Sequence, residues 1–155
     1  MAKPMLLLVA LCAAFGTAAA AAQPAVPAAS AVGVRSDDSL FRALGGEAGI
    51  AGIVDDFVPR LVADPRTGEF FKKANQAHLE QMLAQQFCAV SGGGCIYTGL
   101  PMQQAHRDMD ISKGDFNALV EVLQASMDAR QVPFMTQNRL LARLAPTHRD
   151  IINVR

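Results

Sequence analysis

Apolar residues recur at helical spacing along most of the chain after Ser36. Two long segments, from Ile50 to Val62 and from about Ala77 to Val90, place their apolar side chains three or four residues apart, which puts them on one helix face. No alternation of apolar and polar residues is sustained long enough to indicate a β-strand. The apolar positions are Ile50, Ile53, Val54, Phe57, Val58, Leu61 and Val62, then Leu79, Met82, Leu83, Phe87 and Val90. The pattern predicts an all-α fold.

Helix start and stop signals mark the boundaries of these segments. Asp37 or Asp38 can cap a short helix that Gly45-Gly46 ends. The dipeptide Asp64-Pro65 ends the first long helix, and Gly92-Gly93-Gly94 ends the second. Each predicted helix is therefore bounded by residues whose local chemistry favours a helix terminus or a turn.

The carboxyl-terminal third predicts two further helices. Ser112-Lys-Gly-Asp115 resembles a capping box, and Pro133 can start the last helix before a final contact from Ile151-Ile152. The inward-facing residues are predicted to be Phe116, Leu119, Val120, Leu123 and Met127 in the first helix, then Leu140, Leu141 and Leu144 in the second.

The first 22 residues have the features of a secretory signal peptide. Lys3 precedes an apolar run, and an alanine tract ends at Ala22, before Gln23. Residues 23–36 are rich in small residues and proline and are predicted to be a flexible linker. We therefore expect a periplasmic or secreted protein that has no stable membrane insertion after cleavage. An uncleaved membrane anchor is the alternative, because the apolar run approaches the length of a membrane span.

The net charge and the length of the chain limit the kinds of function that can be expected. The chain has 155 residues, with 14 basic and 14 acidic side chains and no net charge. That length allows one domain with a core large enough to enclose a ligand. Nucleic-acid binding is not expected, because no basic excess is present to contact phosphates.

Two cysteines remain after the expected cleavage, which would remove Cys12. An even number of cysteines in an exported protein favours a disulfide, here between Cys88 and Cys95. Closing so short a loop should contribute roughly 2–3 kcal/mol. The bond would also hold the end of one helix to the segment that carries His106. A metal site is the alternative, but no second cysteine pair completes one.

One of the three histidines has a distinctive context. His78 and His148 are expected to face solvent, whereas His106 follows a short helical turn that Pro101 can start. We predict that this turn brings His106 to a mostly apolar interior, where an imidazole can serve as an axial ligand of haem iron. An isolated histidine is more often a surface or hydrogen-bonded core residue. The sequence has no nucleophile elbow, no phosphate-binding glycine loop and no Cys-x-x-Cys-His for covalent haem attachment.

Together these segments resemble a group 1 truncated haemoglobin. The resemblance covers about Ser39 to Ile152. It is carried by five motifs in family order: Ser39-Leu-Phe-Arg-Ala-Leu-Gly-Gly46, Asp55-Asp-Phe-Val-Pro-Arg-Leu-Val-Ala-Asp64, Phe70-Phe71, Ser91-Gly-Gly93, and Gly99-Leu-Pro-Met102 with Gln104-Ala-His106.

The resemblance implies a two-over-two helical sandwich over residues 37–155, with haem b as cofactor. It makes His106 the proximal iron ligand and implies diatomic gases (O2, NO and CO) as ligands, with a redox partner as a further expectation. Phe71 matches the phenylalanine that packs on the porphyrin plane, and Phe57 matches an aromatic residue beside the distal pocket. The residues expected to contact haem are Phe57, Val58, Phe70, Phe71, Leu79, Met82, Leu83, Phe87, Met102 and His106.

The distal positions depart from the family pattern. Val58 stands where many members have tyrosine, and Leu79 and Leu83 stand where many have glutamine. We therefore expect an apolar distal pocket that retains O2 weakly. Met82 or His78 as a sixth iron ligand is an alternative.

Two other functions remain open at this point. The same iron could support NO detoxification, peroxidase-like chemistry or electron transfer, although the sequence shows no distal acid–base group for such an enzyme. The chain could also be a haem-free helical interaction module that kept only the scaffold.

Overall fold

The computed structural model describes residues 37–154, and every regular element in that range is helical. The predicted signal peptide, the linker and Cys12 lie outside the described residues. The helices are α1 (Ser39–Ala43), α2 (Gly46–Ala63), α3 (Gly68–Phe71), α4 (Gln76–Ser91), α5 (Met102–Ala105), α6 (Lys113–Ala129), α7 (Phe134–Leu144) and α8 (His148–Ile151), with a 3-10 turn at Ala145–Thr147.

The four long helices enclose the core. Helix α2 packs on both α4 and α6, and α7 contacts the same two helices. Helix α2 contributes more of the buried hydrophobic side chains in this cluster than any other helix, namely Ile50, Ile53, Val54, Phe57, Val58 and Leu61. Fully burying a side chain of this size stabilises the fold by roughly 1.5–3 kcal/mol, so α2 is the central element of the domain.

The helix termini follow the local signals. Gly92, with φ of 89°, ends α4 in the left-handed conformation that glycine adopts without strain. The Asn75 side chain caps the start of α4 by accepting a hydrogen bond from the His78 amide. At the start of α6, the Ser112 hydroxyl accepts from the Asp115 amide while the Asp115 carboxylate accepts from the Ser112 amide. The predicted capping box is therefore confirmed.

The buried face of α6 differs from the predicted one. Leu123 and Met127 are buried as expected, but Ala118, Val122 and Ser126 are buried as well, and the predicted Phe116, Leu119 and Val120 are only half-buried. Small side chains at 118 and 126 suit close packing of α6 on its neighbours, of which α2 is the main one. The larger Phe116 ring is instead met edge-on by His148, with ring centroids 5.5 Å apart.

Two further expectations are corrected. His148 is half-buried against Phe116, so the prediction that it is solvated is wrong. In α7, Leu140 is buried, but Leu141 and Leu144 are only half-buried, and the polar Gln137 takes an inner position. Its amide donates to an Asp128 carboxylate oxygen at 2.7 Å and to the Val132 carbonyl at 2.9 Å, which meets the hydrogen-bonding need of a buried amide.

Within residues 37–154, no helix combines the length and the apolar character that crossing a bilayer would demand.

Candidate cofactor site around His106

A single helical turn carries His106. Pro101 stands at the N-cap of α5, and its carbonyl accepts hydrogen bonds from the amides of Gln104 and Ala105, both at 2.9 Å. The His106 amide donates to the Met102 carbonyl at 3.1 Å and ends the turn. Proline can stand at this position because its ring fixes φ, here −52°, and no hydrogen bond of the helix needs a donor there. The predicted short segment started by Pro101 is confirmed.

The His106 imidazole is held in one tautomer. Its Nδ1 atom lies 2.7 Å from the Met102 carbonyl oxygen. A carbonyl can only accept, so Nδ1 carries the hydrogen, and in the neutral ring Nε2 keeps its lone pair. Among residues 37–154, the only hydrogen bond of this ring is made by Nδ1, and Nε2 is not a buried atom without a partner. A backbone carbonyl on one ring nitrogen is a common way for proteins to orient the other nitrogen toward a metal.

The residues predicted to contact haem form two groups. Phe57, Val58 and Phe87 are buried in the helix core, with exposed fractions of 2% or less, and the rings of Phe57 and Phe87 lie 6.5 Å apart. The other apolar members are half-buried on α3, α4 and α5: Phe70, Phe71, Leu79, Met82, Leu83 and Met102. Of the second group, Phe71, Leu79 and Leu83 pack against the core cluster that contains the first group, and Met102 lies beside His106 on α5.

The described surroundings of His106 are mostly polar and charged. The ring is half-buried and lines an open cavity of about 420 Å³ whose wall includes Arg107, Asp108, Arg149 and Asp150. The prediction of a mostly apolar interior is therefore wrong for this cavity, because none of the other residues predicted to contact haem lines it and Ile152 is its one apolar residue. The charged side chains of the wall suit a ligand with an ionised edge.

Three connections tie the segment before His106 to α4. Cys88 and Cys95 form the predicted disulfide, with Cα atoms 5.7 Å apart. The Gln85 side-chain oxygen accepts from the Thr98 amide at 3.1 Å and from the Thr98 hydroxyl at 2.9 Å. The side-chain amide of Gln86 donates a hydrogen bond to the Met102 sulfur at 3.5 Å. The position of α5 thus depends on α4.

The intervening loop is also closed on itself. The Tyr97 hydroxyl donates to the Leu100 carbonyl at 3.1 Å, and burial raises the pKa of this phenol, which keeps it a donor. Gly93 has no room for a Cβ atom, because one would collide with the Phe41 ring and the Cys88 sulfur. The predicted glycine turn therefore does more than end α4, since it lets the disulfide lie against α1.

The bacterial-like globin profile matches residues 39–153, which is most of the chain and nearly all of the described part. The chain belongs to the bacterial-like globin family. A group 1 truncated haemoglobin of Mycolicibacterium paratuberculosis is 30% identical over 113 residues, covering 73% of this chain and 83% of the relative. Another, from Tetrahymena thermophila, is 30% identical over 94 residues, covering 61% of this chain and 78% of the relative.

Solved structures agree with the fold of this globin. The truncated haemoglobin of Tetrahymena pyriformis in its Fe(III) form has a TM-score of 0.71 at 26% identity, covering 74% of this chain and 97% of that one. The 2/2 haemoglobin of a Synechococcus species has a TM-score of 0.69 at 23% identity, covering 74% and 98%. The predicted all-α, two-over-two globin fold is confirmed. Proteins of the globin family bind haem, and this chain is one of them.

The side chains of this globin fit a haem group better than a bare metal ion. Among the described residues, no three His, Cys, Asp or Glu side chains cluster as ligands for an ion. One imidazole whose Nε2 keeps its lone pair is instead the protein ligand that a porphyrin needs, since the porphyrin's own four nitrogens hold the iron. The half-buried Phe71, Leu79 and Leu83 offer apolar surface elsewhere on the domain.

Two residues of the site were missed by sequence reasoning. Gln86 lies seven positions after Leu79 and therefore shares its helix face. A polar residue on an otherwise apolar face could have marked Gln86 as a residue of the site. Asn153 donates to the His106 carbonyl at 2.9 Å from 47 residues away, and no local pattern predicts such a contact.

Proposed function

We propose that this globin binds haem b through the Nε2 atom of His106 and binds diatomic gases reversibly. The observation that carries the proposal is the 2.7 Å hydrogen bond between His106 Nδ1 and the Met102 carbonyl. It fixes the ring and leaves Nε2 as the nitrogen that can coordinate. Haem iron, when bound, supplies an open coordination position for a small gas molecule.

The apolar side chains have a separate role in this proposal. Phe71, Leu79 and Leu83 are half-buried and pack against the core cluster, so their outer surfaces can contact a porphyrin. Burial of those surfaces would stabilise binding by roughly 25 cal/mol for each Å² removed from water. The buried Phe57 and Phe87 hold α2 and α4 together behind them.

The distal residues favour weak retention of O2. Val58, Leu79 and Leu83 have no side-chain hydrogen-bond donor, and Val58 is fully buried. A hydrogen bond to a charged or strongly polarised ligand is worth roughly 1.5–3 kcal/mol. Without it, O2 should dissociate one to two orders of magnitude faster than from relatives with a distal donor, whereas CO and NO depend less on that bond.

The disulfide supports a further part of the proposal, namely export. Disulfides persist in oxidising compartments and are rare in the cytosol. The bonded pair Cys88 and Cys95 therefore supports the signal-peptide interpretation of residues 1–22 and a periplasmic or secreted location. The amino-terminal sequence of protein purified from the exporting cell tests it, and a chain that still starts at Met1 would contradict cleavage.

The deciding experiment is His106→Gly with and without added imidazole. The variant should lose haem, or lose the five-coordinate ferrous spectrum of the parent, and free imidazole should restore that spectrum by filling the space of the removed ring. Such rescue separates loss of a ligand from misfolding.

His78→Gly is the matched control, because His78 is exposed on α4. Its spectra should equal those of the parent, whereas a changed ferric spectrum would reveal a sixth ligand from that residue. If His106→Gly retains haem with parental spectra, the proposed ligation is wrong.

Leu79→Gln tests the distal part of the proposal. The new amide should slow O2 dissociation about tenfold to a hundredfold by donating a hydrogen bond, with little change for CO. Stopped-flow measurements on the ferrous protein check this. Unchanged O2 dissociation in the variant, or slow dissociation in the parent, would contradict an apolar distal pocket.

A further inference from the structure

The loop that follows His106 has an unfavourable backbone. Asp108 and Asp110 have φ angles of 61° and 52°, in the left-handed region that residues with a Cβ atom seldom adopt. Aspartate tolerates this region better than most residues, but two such positions within three residues still require support. The support has to come from outside residues 107–110.

The Asn153 side chain holds both ends of this loop. Its amide nitrogen donates to the His106 carbonyl at 2.9 Å, and its oxygen accepts from the Ile111 amide at 2.6 Å. The main-chain amides of Asn153 and Val154 both donate to the Ile111 carbonyl at 3.1 Å. Ile111 is itself buried, so the loop is tied to a fixed point of the domain.

We propose that Asn153 is a positioning residue that sets the orientation of the His106 imidazole. The ring is fixed at Nδ1 by the Met102 carbonyl, and the His106 main chain is fixed by Asn153, so both the side chain and its backbone are held. With both hydrogen bonds in place, the imidazole is held in a single orientation, and the lone pair of Nε2 points in one direction. The consequence for haem rests on the proposed function, whereas the effect on His106 itself does not.

The carboxyl-terminal segment is anchored independently of α5. Helix α8 carries His148, whose ring meets Phe116 of α6 at 86°. Helices α5 and α8 are also in contact. Asn153 therefore connects the His106 segment to the carboxyl-terminal segment that contacts α6, whereas the disulfide connects it to α4.

Two variants separate the two side-chain bonds. Asn153→Ala removes both, whereas Asn153→Asp keeps an acceptor for the Ile111 amide and removes the donor to the His106 carbonyl. The control is Asn138→Asp, since Asn138 is an exposed asparagine on α7. Far-UV circular dichroism and thermal midpoints should show that all three variants fold.

The first readout is made on haem-free protein by NMR. In Asn153→Ala, hydrogen exchange at the Ile111 amide should quicken by roughly fivefold or more, whereas in Asn153→Asp it should stay near the parental rate. In both, the ¹⁵N shifts of the His106 ring should move toward those of a free imidazole that exchanges tautomers. Parental ring shifts in both variants would overturn the proposal.

The second readout is made on the haem-loaded protein. Both Asn153 variants should shift the iron–histidine stretching frequency in resonance Raman spectra and lose haem to an acceptor globin roughly threefold to tenfold faster. Asn138→Asp should change neither. If haem binds through His106 in the parent and neither quantity changes in the Asn153 variants, the positioning role is excluded. If the parent does not use His106 for haem, the proposed function fails, and the NMR result alone decides the role of Asn153.

Discussion

The four-helix core and the His106 segment are stabilised in different ways. The core, formed by α2, α4, α6 and α7, buries side chains such as Leu61, Met127 and Leu140 to 1% exposure or less. The His106 segment, residues 92–111, has a helix of four residues in which none is fully buried. It is held by a few individual bonds, namely the disulfide and the hydrogen bonds of the Gln85, Gln86 and Asn153 side chains.

This difference separates stability from ligand geometry. Because burial in the core supplies most of the free energy of folding, losses there should lower global stability. Because the His106 segment depends on a few bonds, the loss of one of them should change how the imidazole is presented while most of the fold persists. The orientation of the His106 imidazole can therefore change without repacking of the core.

The largest expected effect comes from the core. Leu123→Ala should lower the free energy of unfolding by about 2–5 kcal/mol, since Leu123 is 1% exposed and its removal leaves a cavity. Urea denaturation measures the change. Leu100→Ala is the control, because Leu100 is 53% exposed, and it should change stability by less than about 0.5 kcal/mol. Equal losses of stability in the two variants would contradict the conclusion that the core, and not the His106 segment, supplies most of the free energy of folding.

The next effect comes from the disulfide. Replacing Cys88 and Cys95 together by serine should cost roughly 2–3 kcal/mol, because the unfolded chain regains the freedom of the short loop. Haem loss should quicken at the same time, since Cys95 no longer holds the segment to α4. Urea denaturation and haem transfer measure the two quantities. If stability falls and the haem transfer rate stays parental, the disulfide acts on the core alone.

The smallest effect comes from the start of α6. Ser112→Ala should cost about 1 kcal/mol by removing the hydroxyl of the capping box. Asn117→Ala, on the exposed face of the same helix, should be neutral or slightly stabilising. Haem retention should stay parental in both, because the lost bond lies within the first turn of α6, and a changed rate of haem loss in Ser112→Ala would contradict this separation.

The difference in stability between Ser112→Ala and the parent should depend on pH. Hydrogen bonds from Ser112 hold the pKa of the Asp115 carboxyl below its ordinary value of 3.8. A lowered pKa in the folded state stabilises the fold above the unfolded value, and that contribution is lost as the pH falls through the folded pKa. Ser112→Ala should therefore lose less stability than the parent on acidification below about pH 4. Parallel acid-unfolding curves would contradict this.

Local chemistry was enough to predict most elements. The stripe in α2, the glycine end of α4, the Ser112 capping box and the Pro101 start of α5 all depend on residues within a few positions of one another. Such patterns are visible in sequence because helix periodicity and capping act over one or two turns.

The errors lie where distant helices meet. The inner face of α6 includes Ala118 and Ser126, because close packing against α2 selects small side chains that hydrophobicity alone does not mark. His148 was placed in solvent because its neighbours in sequence are polar, but its ring contacts Phe116 from another helix. Contacts of this kind depend on how helices cross, which no local pattern specifies.

By itself, the sequence determined that the chain is helical, where most helices begin and end, that Cys88 pairs with Cys95, and that His106 follows a proline-started turn. Those features depend on neighbouring residues, whose interactions are set by chain geometry. Only the tertiary structure decided that Nδ1 of His106 faces a carbonyl and that the ring lines an open cavity with a mostly polar and charged wall. It also decided that Asn153 reaches back to residue 106, because packing must first bring α5 and α8 together.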